Sequence, residues 1–246
     1  MPHAAPDETA IYAAISAALL AGRLAPGVKL GEQKLADIFG VNRERIRKVL
    51  HRLGHERLIE VIPNRGAFVA APSLADAREL YDARRIVEGG IVWGFAQTLS
   101  PAQLARLQAH LALERAAEAA HDRAESIRLS GAFHKLLGEM TENQYVVRQV
   151  QELVSRTAML VAFFEPEQSS RCGCEEHGAV IEAIARGDAP AAARAMVTHL
   201  SLIETRLKPR AGQAPAADLE AVLRRPVAKG RAGAKSVRRG AAEKAP

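Results

Sequence analysis

Three histidines have the side-chain type and the spacing to bind one metal ion together. His134, His177 and His199 each lie on the apolar face of a different helical pattern. Imidazole is the most common protein ligand of transition metals, and three imidazoles with an open position suit Zn²⁺ or Ni²⁺. A single histidine on such a face is more often an ordinary core residue. The spacing therefore leaves two interpretations open, a shared metal site and three separate core side chains.

A second group of residues has the charge to bind nucleic acid. Residues 42–53 carry one acid, Glu44, and five basic side chains. The basic residues are Arg43, Arg45, Arg47, Lys48 and Arg52. A charged helix face is usually only solvated. Basic groups at the start of a helix that enters a major groove, however, contact phosphates and guanine edges. The elements around this segment decide whether it is a solvated helix face or a DNA-binding helix.

Those elements predict a helix-turn-helix. An amphipathic helix that Gly22 closes is followed by a turn at Pro26-Gly27 and by a short helix over residues 32–39. Gly40 then permits a sharp reversal, and Asn42 is a good N-cap for a helix that continues to about residue 53. Two short helices joined by a glycine-containing turn are typical of DNA-binding helix-turn-helix units, so the basic segment is the second helix of such a unit.

A β-hairpin is predicted directly after it. Residues 58–62 and 66–70 are two apolar segments that flank the turn sequence Pro63-Asn64-Arg65-Gly66. Arg65 at the tip of the hairpin is placed to reach a DNA backbone or the minor groove. The N-terminal fold is therefore predicted to be a winged helix-turn-helix.

The middle of the chain predicts an antiparallel α-helical bundle. Six helical patterns with caps or breaks between them follow Ser73. They cover about residues 74–98, 101–119, 122–139, 144–164, 175–186 and 188–208. Their leucine, isoleucine, valine and alanine content is sufficient for a core. The fold class is therefore mainly α, with residues 1–71 and 72–208 as two domains and residues 209–246 as a tail.

Composition and charge exclude several classes of protein. Of the 246 residues, 48% are hydrophobic and 25% are charged, which is ordinary globular composition. No apolar run approaches the ~18 residues that span a bilayer, and two cysteines are too few for a disulfide framework. We therefore expect a cytoplasmic protein without a membrane partner. The net charge is +3 over residues 1–71, −3 over residues 72–208 and +6 over residues 209–246.

The tail consists mainly of alanine, proline, glycine, lysine and arginine and lacks aromatic residues. It cannot bury enough apolar surface to offset chain entropy, so we expect it to be disordered. Residues 219–225 have the pattern of a helical turn, which Pro226 would end. Two functions are open for this basic tail, a solubilising extension and an electrostatic arm that increases non-specific DNA affinity.

The segment GRLAPGVKLGEQKLADIFGVNRERIRKVLHRLGHERLIEVIPNRGAFVA resembles the DNA-binding domain of GntR-type bacterial transcriptional regulators, and the resemblance covers residues 10–71. It implies phosphate and base contacts from Arg43, Arg47, Arg65 and Gly66. Two departures alter the expected base contacts: Gln33 replaces the usual arginine, and Arg43-Glu44-Arg45 replaces Arg-Thr-Pro. The full set of expected DNA-binding residues is Gln33, Lys34, Asn42, Arg43, Glu44, Arg45, Arg47, Arg65 and Gly66.

Residues 74–208 resemble the FCD domain, the helical effector-binding domain of the FadR-type branch of that family. In its metal-binding members an aspartate joins three histidines. Here FHKLL, CEEHGAVIEAI and MVTHL supply His134, His177 and His199, and Ser130 stands at the aspartate position. The resemblance thus implies a three-histidine site or a weakened one. It also implies that Arg84 grips an effector carboxylate, whereas spacing alone predicts an ordinary helix ion pair with Glu88.

The remaining motif is Cys172-Gly173-Cys174 before His177, which is a weak pattern for a soft-metal cluster and more typical of a loop with reduced thiols. The leading hypothesis is a ligand-responsive regulator, a repressor that binds a palindromic double-stranded DNA operator as a homodimer. One alternative is a metal-dependent hydrolase, although the sequence has no H-E-x-x-H motif and no nucleophile elbow. Another is a nucleoid-type DNA binder, which leaves the histidines without a role.

Overall fold

The computed structural model describes residues 5–166, 173–209 and 218–224. The N-terminal unit contains three helices: α1 (Glu8–Leu20), α2 (Glu32–Phe39) and α3 (Arg43–His55). Gly40, in the left-handed conformation at φ 66°, ends α2 and makes the reversal into α3. The Asn42 side chain accepts a hydrogen bond from the Arg45 amide at 2.9 Å and caps α3. The predicted helix-turn-helix is confirmed.

The wing is a three-stranded antiparallel sheet in the order β1-β3-β2. Strands β2 (Ile59–Ile62) and β3 (Gly66–Val69) form the predicted hairpin. The prediction of a simple turn after the first helix was incomplete, because β1 (Lys29–Leu30) pairs with β3. Two residues are too few to show the alternating pattern of a strand, so only the pairing with β3 defines β1.

Six helices follow and form a bundle. They are α4 (Leu74–Thr98), α5 (Pro101–Ala119), α6 (Arg123–Met140), α7 (Gln144–Phe164), α8 (Gly173–Ala185) and α9 (Ala189–Arg206). The predicted bounds agree within two residues at each end, because caps such as Ser100 and Asn143 make local hydrogen bonds to the first turn of their helices. None of the helices that the structure describes has the length and apolarity needed to cross a membrane.

The winged helix and the bundle share part of one apolar cluster. This cluster includes Ile11 and Ile15 of α1 together with Ile127 of α6 and with Met159 and Phe163 of α7. Helix α1 contacts both α6 and α7. A second cluster fills the interior of the bundle around α4, α8 and α9. Helices α6 and α7 therefore connect the DNA-binding unit to the bundle interior.

The expectation of disorder was wrong for one stretch of the tail. Residues Leu219–Leu223 form α10, whose Leu219 and Val222 are buried in the winged-helix cluster. Arg23 donates to the Val222 carbonyl at 3.4 Å, and Lys34 lies 3.5 Å from Asp218. Two apolar side chains three positions apart share one side of a helical turn and can dock on a neighbour. The helical-turn pattern of residues 219–225 agrees with α10, whereas the average composition of the tail does not reveal that this turn docks on the winged helix.

Candidate functional site

The three predicted histidines meet in the bundle interior. His134 is on α6, His177 on α8 and His199 on α9, and each is at most 1% exposed. Their Nε2 atoms are separated by 3.2 Å between His134 and His199, 3.3 Å between His134 and His177, and 3.0 Å between His177 and His199. The three nitrogens thus surround a single point.

Each imidazole has a carboxylate at its other ring nitrogen. The distances from Nδ1 to the nearest carboxylate oxygen are 2.5 Å for His134 and Glu88, 2.8 Å for His177 and Glu114, and 2.7 Å for His199 and Glu176. An ionised carboxylate only accepts hydrogen bonds, so a carboxylate beside Nδ1 favours the tautomer with the proton on Nδ1 and a lone pair on Nε2.

The charge states of the histidines and of their carboxylate partners favour the tautomer with the proton on Nδ1. Burial lowers the pKa of His134 to about 4 and places the pKa of His199 well below its ordinary value. Burial by itself raises the pKa of Glu88, but Arg84 and His134 outweigh it and hold that pKa near 2. Hydrogen bonds from His110 and His177 likewise hold the pKa of Glu114 near 2 against burial. At neutral pH His134 and His199 are therefore uncharged and Glu88 and Glu114 are ionised.

In that tautomer three Nε2 lone pairs converge at 3.0–3.3 Å, and they repel one another unless a cation lies between them. Nitrogens at about 2.0–2.1 Å from one ion are roughly 2.8–3.4 Å apart, from the octahedral to the tetrahedral angle. The donor set and its spacing therefore fit a divalent transition metal. A carboxylate behind each ligating histidine is the usual second partner at such a centre.

The carboxylates were largely missed by sequence reasoning. The sequence signals of Glu88 and Glu176 are local: Glu88 lies one turn after Arg84, and Glu176 directly precedes His177. In the structure Glu176 contacts His199, from which it is 23 residues distant, and Arg206. Glu114 has no local signal at all, because its contact with His177 joins α5 to α8.

Arg84 points inward, as the resemblance implies, and is 3% exposed. Its Nε donates to Glu88 at 2.6 Å, and its Nη1 donates to Thr157 Oγ1 at 3.0 Å. The ion pair with Glu88 is therefore present, but it is buried and not on the surface. Ser130, one helical turn before His134, lines the same cavity as Arg84.

That cavity has a volume of about 80 Å³ and lies beside the histidines. Its polar lining includes Tyr81, Arg84, Ser130, His134, Thr157, His199 and Arg206. Its apolar wall comes from α6 and α7, through residues such as Ile127, Val154, Ala158 and Val161. A cluster of nitrogen donors next to a small, mixed polar and apolar cavity is the arrangement expected of a small-ligand site.

Cys174 belongs to the cavity lining and not to the histidine cluster. Its thiol donates to Glu118 Oε2 at 2.6 Å, and burial together with that carboxylate raises its pKa to about 12. Among the described residues, the group that converges to metal-ligand distances contains the three histidines and no cysteine. Cys172 lies outside the described residues.

A second candidate site is the exposed face of the helix-turn-helix. Arg43 and Arg47 of α3 have side chains 58% and 64% exposed, and both pair with Glu32 of α2. The Arg47 hydrogen bond, with that from Arg43, holds the pKa of Glu32 near 2. Glu32 thus holds the two guanidinium groups side by side on the exposed face of α3.

The other expected DNA-binding residues occupy varied positions. Gln33 donates to Asp37 at 2.8 Å, and Arg45 donates to the Pro6 carbonyl at 3.1 Å. Asn42 serves as the N-cap of α3, which engages its side-chain oxygen. The remaining residues are exposed on α2, on α3 and at the wing tip; they are Lys34, Glu44, Arg65 and Gly66.

Comparison with known proteins gives matches along most of the chain. Residues 8–69 match the model described as bacterial regulatory proteins, gntR family, and residues 79–202 match the FCD domain. The chain is 29% identical over 203 residues to an uncharacterized HTH-type transcriptional regulator in an unstable DNA locus of Streptomyces ambofaciens, with 78% of this chain and 81% of that protein covered. It is 26% identical over 183 residues to the HTH-type transcriptional repressor RspR of Escherichia coli, with 73% and 79% covered.

A solved structure of a transcriptional regulator GntR from Rhodococcus sp. RHA1 has the same fold, with a TM-score of 0.64 at 24% identity over 80% of this chain and 95% of that one. The two matched domains lie in the order and at the positions that the winged helix and the bundle occupy. The family consists of regulators that bind DNA through the first domain and a small-molecule effector through the second, and not of enzymes. The chain is therefore a transcriptional regulator of the GntR family, with a helix-turn-helix domain and an FCD effector-binding domain.

Proposed function

We propose that this protein is a repressor that responds to a small carboxylate bound through a divalent metal ion. Zinc or nickel is held by His134, His177 and His199, one ion per chain. The observation that carries this proposal is the convergence of three Nε2 lone pairs beside a cavity whose wall packs on the winged helix. The role of repressor is supported by the relative that is named as one.

The metal serves as a clamp for the effector and not as a catalyst. Three protein ligands leave coordination positions for oxygens of an acid. Ser130, a neutral hydroxyl at the position where the family often has an aspartate, leaves one negative charge fewer near the ion. We propose that Arg84 and Ser130 contact the bound acid, with Arg84 held in place by Glu88 and Thr157.

The route from effector to DNA passes through α6 and α7. Ile127, Ala158 and Val161 line the cavity, and all three belong to or pack against the apolar cluster that contains α1. An acid that fills the cavity presses on the same two helices that position the winged helix. Binding of the acid and of the operator are then coupled, because each favours one arrangement of α6 and α7 relative to α1.

The domains are proposed to be residues 1–71 and 72–208, followed by the basic tail from residue 209. The protein acts on chromosomal DNA in the bacterial cytoplasm. Helix α10, which lies within this tail, contacts α1 and α2, and this supports a role for the tail as an electrostatic arm near the DNA-binding unit.

Selection from a random DNA library tests this function. The full chain, supplied with Zn²⁺, is incubated with random 30-base-pair duplexes, and bound DNA is recovered and sequenced over several rounds. We expect a palindromic sequence with half-sites about 10 base pairs apart, as a two-fold symmetric dimer requires. Acetate or glycolate is expected to lower the affinity for the selected duplex. Failure to enrich any sequence over the starting library would contradict specific operator recognition.

A homodimer is proposed through the outer face of α4 and α9. Ile86 and Trp93 of α4 are 77% and 46% exposed, and Val197 of α9, which lies against Gly89, is 38% exposed. These apolar side chains form one patch on two helices that pack together. An exposed apolar patch of this kind is typical of a protein–protein interface.

We expect Trp93→Glu to raise the dimer dissociation constant at least about 30-fold, because a central aromatic residue is lost and a charge is placed in an apolar contact. Sedimentation velocity over a concentration series measures this change. Leu113→Glu is the matched control, since Leu113 is 57% exposed on α5, away from that face. A Trp93→Glu protein that dimerises like the wild type would place the interface elsewhere.

A further inference from the structure

Tyr81 has an unusual position in the bundle. It lies on α4, one turn before Arg84, and is fully buried. Its hydroxyl has no hydrogen-bond partner within residues 5–166, 173–209 and 218–224. A buried hydroxyl without a partner is costly and rare in folded proteins, so it calls for an explanation.

Three other polar side chains that line the cavity do have hydrogen-bond partners. Arg84 is bonded to Glu88 and Thr157, Thr157 donates to the main chain of its own helix, and the Cys174 thiol donates to Glu118. In the described part of the chain, these three groups are thus partnered, whereas the Tyr81 hydroxyl is not; His134 Nδ1, the other lining atom without a hydrogen bond, still lies 2.5 Å from the Glu88 carboxylate. Tyr81 is the residue whose hydrogen bond a bound molecule would complete.

The surroundings keep Tyr81 in its donor form. Burial raises the pKa of its hydroxyl, Arg84 partly opposes this effect, and the carboxylates of Glu165, Glu204 and Glu88 raise the pKa further. The phenol therefore keeps its proton and offers it to an acceptor oxygen. The guanidinium carbon of Arg84 lies 5.7 Å from the centre of the Tyr81 ring, and both residues line the cavity, so an anion bound there meets a positive charge as well as this donor.

We propose that Tyr81 is an effector-binding residue that donates a hydrogen bond to an oxygen of the bound acid. Tyr81 lines the same cavity as His134, His199 and Ser130, and the cavity volume of about 80 Å³ suits a short acid. The assignment rests on the proposed function. The role of Tyr81 makes the site selective for acids with two suitable oxygens. One oxygen binds the metal ion, and the other accepts the hydrogen bond of the Tyr81 hydroxyl.

The test compares the wild-type protein with Tyr81→Phe, both full-length and saturated with Zn²⁺. Isothermal titration with acetate, glycolate and lactate measures the affinity, and thermal unfolding without acid measures stability. Phenylalanine removes only the hydroxyl, so the affinity for the best of these acids is expected to fall about tenfold or more. Stability without acid is expected to stay equal or to rise by about 2–4 °C in Tm, because an unpartnered buried hydroxyl is removed.

Tyr145→Phe is the matched control, since Tyr145 is 81% exposed on α7, and neither value should change. Equal affinities of wild type and Tyr81→Phe would overturn the assignment of Tyr81 and leave the carboxylate proposal intact. A lower Tm of Tyr81→Phe without acid would also overturn it, because the hydroxyl would then have an internal partner. Wild-type protein that binds none of the three acids would contradict the carboxylate effector, and the role of Tyr81 with it.

Discussion

His177→Ala is expected to remove the bound metal from the protein. The Nε2 atom of His177 lies 3.3 Å from that of His134 and 3.0 Å from that of His199. Loss of the His177 imidazole therefore leaves the ion with two histidine ligands. Changing an outer-shell partner alone typically costs about 10–100-fold in metal affinity, and a ligand should cost more than the upper end of that range. Mass spectrometry of the untagged protein, for zinc and nickel per chain, measures the result.

The wild type should contain about one metal ion per chain, and His177→Ala should contain none after dialysis. His51→Ala serves as the control, since His51 is exposed on α3 in the winged helix. The metal content of Glu114→Gln should lie between those of the wild type and His177→Ala. This variant keeps all three ligands and changes only the carboxylate that contacts His177 Nδ1. Stoichiometric metal in His177→Ala would refute the three-histidine centre.

Arg47→Ala is expected to lower the affinity for the selected operator by about 1–3 kcal/mol, or roughly 5- to 150-fold. The Arg47 side chain is 64% exposed and projects from the start of α3, so its truncation removes a DNA contact without opening a core. The pair with Glu32 is exposed to solvent and therefore contributes little to folding. Fluorescence anisotropy with the selected duplex, at one fixed salt concentration, measures the affinity.

The control for this change is Arg186→Ala. Arg186 is also exposed and also pairs with a glutamate, Glu182, but it lies at the end of α8 in the bundle. Its replacement removes the same charge from the protein and should leave operator binding unchanged. A similar loss in both variants would indicate a general electrostatic effect, and an unchanged affinity of Arg47→Ala would exclude Arg47 from the interface.

The parts of the fold that the sequence predicted correctly depend on local signals, namely helix caps and hydrophobic periodicity. Asn42, Ser100 and Asn143 are caps whose hydrogen bonds reach only two or three residues, so the helix starts were correct. The helix-turn-helix, the hairpin and the inward direction of the three histidines also follow from local periodicity. The strand β1 was not predicted, and α10 was anticipated only as a helical turn within a disordered tail, because both short segments are stabilised by their contacts with β3 and with the winged-helix cluster.

The same distinction applies to the candidate site. The sequence by itself placed the three histidines on apolar helix faces, since side-chain type and helical phase are properties of each segment. For Arg84 the spacing predicted only an ion pair with Glu88, and the family resemblance implied its inward direction. The tertiary structure alone decided that Glu88, Glu114 and Glu176 each contact a different histidine, and that the Tyr81 hydroxyl has no partner among the described residues. These features depend on contacts between helices distant in the chain. Periodicity tells which face of a helix is buried, but the packing of all six helices decides which side chains meet there.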